Sequence, residues 1–387
     1  MNILFLTPRD SKINLGGVER HVWLVTEELV RRGHRVKELS LDETDKSYKD
    51  YKNYKDNKHD NFFKDSPWHT PGRILSLRPV LFKLRAWGYL WQRRELFGWA
   101  EVVHVHDVFW WIVPMLLIMW INKYYKSYNN YKNRGRLFVT FHGWEGRWPP
   151  SWSAVWQKKL AAWLSNGTMG VGNFYQKWYG VKPDRVVWGV LDPKIAKYAK
   201  LGENRERGPY KGPTLPRQGR TFAFFGRLEK VNGIEIMLDA MRYIKVRPWR
   251  TSRSDLFRCI FVGDGNYREE AEKVGKVTGM LEEPWRYLAD VDIVIASSYL
   301  AILEASGMRK RIIAVANNPL KRDYLEGHPM RKWFEVAGSS DELIGLITDK
   351  NYKDYKDYKE DREKSRNWAL RQTVGKLTDE YLKLWQL

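Results

Sequence analysis

The chain has 387 residues, 43% of them hydrophobic, enough for two ordinary domains with cores of their own. Its single cysteine, Cys259, excludes an internal disulfide framework and suits a reducing compartment. The formal net charge is +21, and 15 of the 20 tryptophans fall in residues 1–190, together with about +13 of that charge. Such a half suits an anionic partner surface, lipid headgroups before nucleic acid, unless its tryptophans only fill a core.

In chain order, the start Met-Asn-Ile-Leu-Phe-Leu-Thr-Pro lacks a basic segment and a small-residue cleavage site. It reads as a first strand, Ile3–Leu6, and not as a signal peptide. Val18, Val22, Val25 and Leu29 recur at helical spacing, and that helix closes at Gly33. Strands follow at Val36–Leu39, Val102–His106, Leu137–His142, Thr168–Val171 and Val186–Trp188. The apolar run Val108–Ile121, about 14 residues with Pro114 inside it, is too short to span a bilayer and predicts a buried helix. Residues 78–99 carry Val80, Leu84, Trp87 and Trp91 at helical spacing, with Arg78, Lys83, Arg85, Arg93 and Arg94 around them. A helix lying in a membrane interface and an ordinary amphipathic helix on the first domain both fit this pattern.

The stretch 198–220 is rich in glycine, proline and charge and reads as a linker. A second series of strands follows at Phe222–Phe225, Cys259–Val262, Asp292–Ala296 and Ile312–Val315, with Cys259 as buried packing. Leu370, Val374, Leu377, Tyr381 and Leu384 predict an amphipathic closing helix. Three tracts, Lys46–Lys58, Lys123–Lys132 and Tyr352–Lys359, repeat a Tyr-Lys-Asp/Asn unit and have no apolar face, so they read as expanded surface loops. The repeated alternation predicts an α/β chain of two units, each a parallel sheet with right-handed crossovers. Ligands of such folds bind at the carboxyl ends of strands, here in a cleft between the units.

The run Phe222-Ala-Phe-Phe-Gly226-Arg227 followed by an apolar helix is a strand–turn–helix with a cation at the turn. Backbone N–H groups, the positive helix end and a guanidinium together suit a phosphate. Other short motifs stand in a fixed order around it: Gly16-Gly17-Val-Glu19-Arg20 after the first strand, Phe141-His142-Gly143, Trp188-Gly-Val-Leu-Asp192, Phe261-Val-Gly263-Asp-Gly265, Val291–Ser298 and Leu303-Glu304-Ala305. His104 and His106 share one strand face, but no cysteine or carboxylate stands at metal spacing to join them, so no metal site is expected.

In this order the motifs resemble the retaining nucleotide-sugar glycosyltransferases of family 4, over essentially the whole chain outside the three tracts. The resemblance implies the GT-B architecture, two Rossmann-like domains facing a cleft. Residues 1–197 would form the acceptor-binding domain, with low-complexity loops at 44–65 and 122–134. Residues 198–220 would be the linker, 221–365 the nucleotide-sugar-binding domain, and 366–387 a closing helix crossing back to the first domain.

The resemblance also implies roles. Gly16, Gly17, Arg227, Lys230, Gly263 and Glu304 would bind the donor, Glu304 through the ribose hydroxyls. Arg227 would neutralise the departing diphosphate, and His142 would stand by the transferred sugar, so both count as catalytic. Glu19, Arg20 and Trp144 would face the acceptor. The donor's own phosphate would take the acceptor proton on the same face, so no cofactor and no metal is implied. The expected acceptor is lipid-linked, a glycan or a protein. The expected place is the cytoplasm, peripheral at an anionic membrane, and nucleic acid is not an expected partner.

Each residue also has a plain structural reading. Gly16-Gly17 could be an ordinary strand–helix turn and Arg227 a surface ion pair. Glu304 could be a first-turn glutamate facing the helix dipole, His142 a satisfied strand-end histidine, and Gly263-Asp264-Gly265 simply a tight turn.

The chain also departs from the family pattern. Asn232 stands where the family has a lysine five residues after the arginine, with Lys230 two residues earlier. About four residues are missing between Ser298 and Glu304, among them a first glutamate and its Gly-Phe-Gly neighbours. Arg309-Lys310-Arg311 replaces the usual Gly-x-Pro. These departures keep open a non-catalytic nucleotide-sugar- or glycan-binding protein on the same fold. Charge and aromatic content alone would also allow a basic nucleic-acid-binding protein.

Overall fold

The computed structural model describes residues 1–11, 16–40, 86–127, 135–195, 197, 220–246, 257–281, 283–348 and 355–386. The tract at 46–58, residues 78–85 and the expected linker up to residue 219 lie outside the described residues.

The first sheet holds β1 (Asn2–Thr7), β2 (Arg35–Ser40), β3 (Val102–His106), β4 (Arg136–Phe141), β5 (Gly167–Val171) and β6 (Arg185–Val187) in the order β2-β1-β3-β4-β5-β6. All six are strands the alternation predicts. Ile3 to Leu6, Val102, Val103 and Val105 are almost wholly buried, as in strands covered on both faces. Pairing is parallel, with Ile3 opposite Val102 and Val102 opposite Arg136. The chain runs from β1 to β2 on one side and from β3 to β6 on the other, so the order reverses between β1 and β3.

Between these strands lie α1 (Gly17–Arg31), α2 (Arg94–Trp99), α3 (Ile112–Ser127), α4 (Trp152–Leu164) and the short α5 (Tyr175–Tyr179). The run Val108–Ile121 is only half the buried helix expected of it. Pro114 sits in the first turn of α3, where its missing N–H costs nothing, and the helix continues past it. Trp111, Ile112, Met115 and Ile118 are buried, whereas Val113, Leu117 and Trp120 form an exposed stripe.

The second sheet holds β7 (Arg220–Phe225), β8 (Phe257–Val262), β9 (Lys276–Val277), β10 (Ile293–Ala296), β11 (Arg311–Val315) and β12 (Glu335–Ala337) in the order β12-β11-β10-β7-β8-β9. β9 and β12 have only two and three residues, too few to show a pattern in sequence. This order reverses between β7 and β10. The helices are α6 (Ile234–Val246), α7 (Arg268–Val274), α8 (Tyr299–Gly307), α9 (Pro319–Glu326) and α10 (Ser340–Thr348). Phe222, Phe224, Ile293, Ile295, Ile313 and Val315 pack with Met237, Met241 and Ala271 into one core, and Cys259 is buried beside them.

The closing helix is two helices, α11 (Tyr355–Leu370) and α12 (Val374–Leu384). Thr373 starts the second by accepting the Lys376 N–H at 3.2 Å. Two of the expected loops are partly helical. The backbone of α3 runs on to Ser127 and that of α11 starts at Tyr355, each as the extension of a helix anchored further along by buried residues, Ile112, Met115 and Ile118 in α3 and Ser365, Arg366 and Ala369 in α11.

The described chain forms two compact units. One holds Met1–His142, Trp156–Met169 and Lys383–Leu387; the other holds Gly143–Val155 and Gly170–Leu382. In the first, Trp385 is fully buried and its indole N–H donates to His104 Nδ1 at 3.0 Å.

Candidate functional site

In an open parallel sheet, ligands bind where the strand order reverses, at the carboxyl ends. In the second unit that point lies between β7 and β10. β7 ends at Phe225 and runs into Gly226, whose φ is +147°, and then into the exposed Arg227. β8, beside it, ends in Gly263 at φ +147°. A Cβ on Gly263 would collide with Gly226 O, so the two turns can only meet as glycine against glycine backbone. Leu228 N–H donates to Asp264 O at 2.9 Å and Tyr267 N–H to Leu228 O at 3.0 Å. Gly263 thus holds the Arg227 turn in shape.

Lys230 lies in a short turn after Arg227, exposed, and pairs with Glu235 at 3.3 Å. Asn232 donates to Arg227 O at 3.0 Å and so closes the turn with an amide where the family has a lysine. From β11's end, Asn317 Nδ2 donates to Lys230 O at 2.6 Å. Lys321, in the first turn of α9, is 4% exposed, and burial with the nearby Arg227 charge pushes its ammonium down to about 7.

Glu304 is 1% exposed in α8, which follows β10. It is the sixth residue of α8, beyond the first turn, so the helix-dipole reading does not describe it. Where the family would have its donor-sugar segment, which the sequence lacks, α8 starts at once. Ser298 caps it, and Tyr299 stacks flat on Tyr324 with ring centroids 3.8 Å apart.

In the first unit the order reverses between β1 and β3. Gly16 precedes α1, and a Cβ there would collide with the Glu19 carboxylate, which folds over the helix start. Among the described residues, nothing lies within 4 Å of where a Cβ on Gly17 would stand, and Gly17 itself is exposed. Glu19 is buried and Arg20 half-buried. The next residue, His21, meets the His142 ring edge-on at 4.7 Å.

His142, just past β4, is held twice. Its N–H donates to Asp107 Oδ1 at 3.1 Å, and its Nε2 shares a hydrogen bond with His106 Nδ1 at 2.8 Å. His104 accepts from Trp385 at Nδ1, so its proton is on Nε2, toward Thr140 Oγ1 at 2.7 Å. Burial keeps this cluster neutral: His21 falls to about 4, and His104, His106 and His142 lie well below the ordinary value. His142 is therefore held as a neutral imidazole, bonded through Nε2. Trp144 is half-buried two residues on.

The residues gather into two groups: Gly16, Gly17, Glu19 and Arg20, linked through His21 to His142, and Arg227, Lys230 and Gly263, with Glu304 on the neighbouring strand's helix. Sequence reasoning passed over His21, Asp107, Asn317 and Lys321. The Asn318-Pro319 helix start was legible, but nothing in sequence marks Lys321 as buried. Among the described residues, no three histidine, cysteine, aspartate or glutamate side chains are arranged to hold a metal ion.

Two family models match in succession: Glycosyltransferase Family 4 over residues 15–187, and Glycosyl transferases group 1 over residues 219–332. Solved structures of the same fold include HepE of Anabaena in complex with UDP, with 15% identity, full coverage of both chains and a TM-score of 0.60. A UDP-forming α,α-trehalose-phosphate synthase from Burkholderia vietnamiensis has 10% identity, full coverage of both chains and a TM-score of 0.62. A glycosyltransferase from Rickettsia africae has 15% identity, 100% and 97% coverage and a TM-score of 0.57. No curated protein sequence matches the chain. With two parallel six-stranded sheets and both matches in chain order, the chain belongs to the GT-B glycosyltransferase superfamily.

Proposed function

We propose that the protein transfers a sugar from a nucleoside diphosphate to an acceptor with retention of configuration. The observation that carries this reading is the Gly226-Arg227 turn at the β7/β10 reversal, inside the second family match. Arg227 balances the charge that grows on the diphosphate as the glycosidic bond breaks, and Glu304 is the candidate ribose ligand. His142, neutral and fixed by Asp107 and His106, hydrogen-bonds the transferred sugar. The donor phosphate accepts the acceptor proton, so the reading calls for neither cofactor nor metal. The solved HepE and trehalose-phosphate synthase relatives, named for UDP and as UDP-forming, make a uridine nucleotide the first donor to try. The test is release of nucleoside diphosphate from UDP-, GDP- and ADP-sugars by purified protein without acceptor. Release from one of them is expected; release from none, with tight nucleotide binding, would favour the second reading.

That second reading, a nucleotide-sugar-binding protein without transfer, is favoured by one observation. The Tyr299–Tyr324 stack fills the start of α8, where the family's sugar-contacting segment would stand.

The acceptor in this proposal is presented at an anionic membrane, with the protein cytoplasmic and peripheral. Among the described residues no helix is long and apolar enough to cross a membrane. α3 and α4 join successive parallel strands of one sheet, so both cover the same face. They expose Trp120 and Trp163 at 62% and 79%, besides Val113, Leu117 and Trp156. Trp87 and Trp91 are also exposed, whereas Arg93 and Arg94 lie over the Tyr89 and Trp91 rings. Tryptophans at headgroup depth beside a basic surface suit this attachment. Trp120→Glu with Trp163→Glu should abolish co-sedimentation with anionic liposomes; unchanged pelleting would remove this face from the proposal.

A further inference from the structure

We propose that Lys321 is a second cation of the phosphate site, reaching from α9 toward the same diphosphate that Arg227 grips. The inference rests on the donor reading above and adds a residue to it.

Lys321 is 96% hidden from solvent by its 4% exposure, and a lysine is almost never buried so far without a partner. Among the described residues, no carboxylate pairs with its ammonium. The acidic side chains of α9 are engaged elsewhere. Asp323 takes Lys177 at 2.6 Å and the Trp178 indole N–H at 2.8 Å, and Glu326 takes Arg331 at 2.5 Å. Lys321 Nζ lies 4.5 Å from the Tyr324 ring centre, and the charge that bears on its ammonium, after the effect of burial itself, is another cation, Arg227.

Two cations near each other, one of them buried, repel. The arrangement becomes favourable when an anion lies between them, and a diphosphate carries enough charge for both. The backbone fixes their approach. Asn318 caps α9 by accepting the Lys321 N–H at 2.8 Å, and Asn317 ties the same segment to Lys230 O at 2.6 Å. The helix start and the Arg227 turn are therefore tied to each other by hydrogen bonds. Asn232, already bonded to Arg227 O, brings no charge to that turn, and Lys321 supplies it from the helix after β11, two strands from β7.

The test is calorimetric titration of the parent, Lys321→Met and Lys321→Gln with UDP, GDP, ADP, the matching monophosphates and inorganic pyrophosphate. Both variants should bind the preferred nucleoside diphosphate roughly 10- to 100-fold more weakly and the monophosphate with a smaller loss. In the absence of nucleotide, Lys321→Met should melt no lower than the parent, since it removes an uncompensated buried charge; a merely structural lysine would lower the melt. Equal diphosphate affinity in parent and either folded variant overturns the inference and leaves the donor reading standing. A parent that binds none of the three diphosphates overturns the donor reading, and this inference with it.

Discussion

Arg227 is exposed on a turn that backbone hydrogen bonds already hold, so its side chain is free to act on a ligand without supporting the fold. Arg227→Ala should lower donor turnover on the order of 100-fold, while stability moves by less than about 0.5 kcal/mol. Turnover equal to the parent in the folded variant would return Arg227 to the surface. The histidine cluster makes a different kind of claim. His21 has a folded value of about 4 against 6.5 when free, and its three neighbours shift in the same direction. As pH falls below about 6.5 the unfolded chain takes up protons first, so this contribution is complete above pH 6.5 and is lost toward pH 4. His21 alone withdraws on the order of 2 kcal/mol at pH 5. Melting temperatures should decline steeply from pH 6.5 to 5, and a flat profile would mean that these rings are solvated.

The elements that matter most are the two strand-end turns after β7 and β8. They interlock through backbone, and Gly263 admits no side chain. Gly263→Ala combines a left-handed φ with a collision against Gly226 O, and should destabilise by roughly 2 to 4 kcal/mol. It should also weaken nucleotide binding, because the turn that presents Arg227 must shift. Full stability in a denaturant melt would show that the turns can separate. α3 and α8 teach the same lesson from opposite directions. Both are apolar in sequence, yet α3 leaves a stripe open while α8 is buried almost throughout. Composition cannot tell these apart, because the difference lies in how many sides of a helix the neighbouring elements cover.

At the scale of the whole molecule, the last residues complete the first unit, although the preceding stretch belongs to the second. Trp385→Ala removes a fully buried indole and its bond to His104, and should cost roughly 3 to 5 kcal/mol. A thermal melt unchanged by that substitution would mean the chain end is not docked. Sequence alone determined all six strands of the first sheet, four of the second and the order of the glycine motifs. Strand periodicity and glycine turns are local, and they leave their mark on neighbouring residues. Only the tertiary structure decided that Lys321 is buried near Arg227, that four histidines form one neutral cluster, and that Gly263 braces Gly226. Those relations join residues as far as 121 positions apart, and they arise from which strand lies beside which, a choice made by packing the whole sheet.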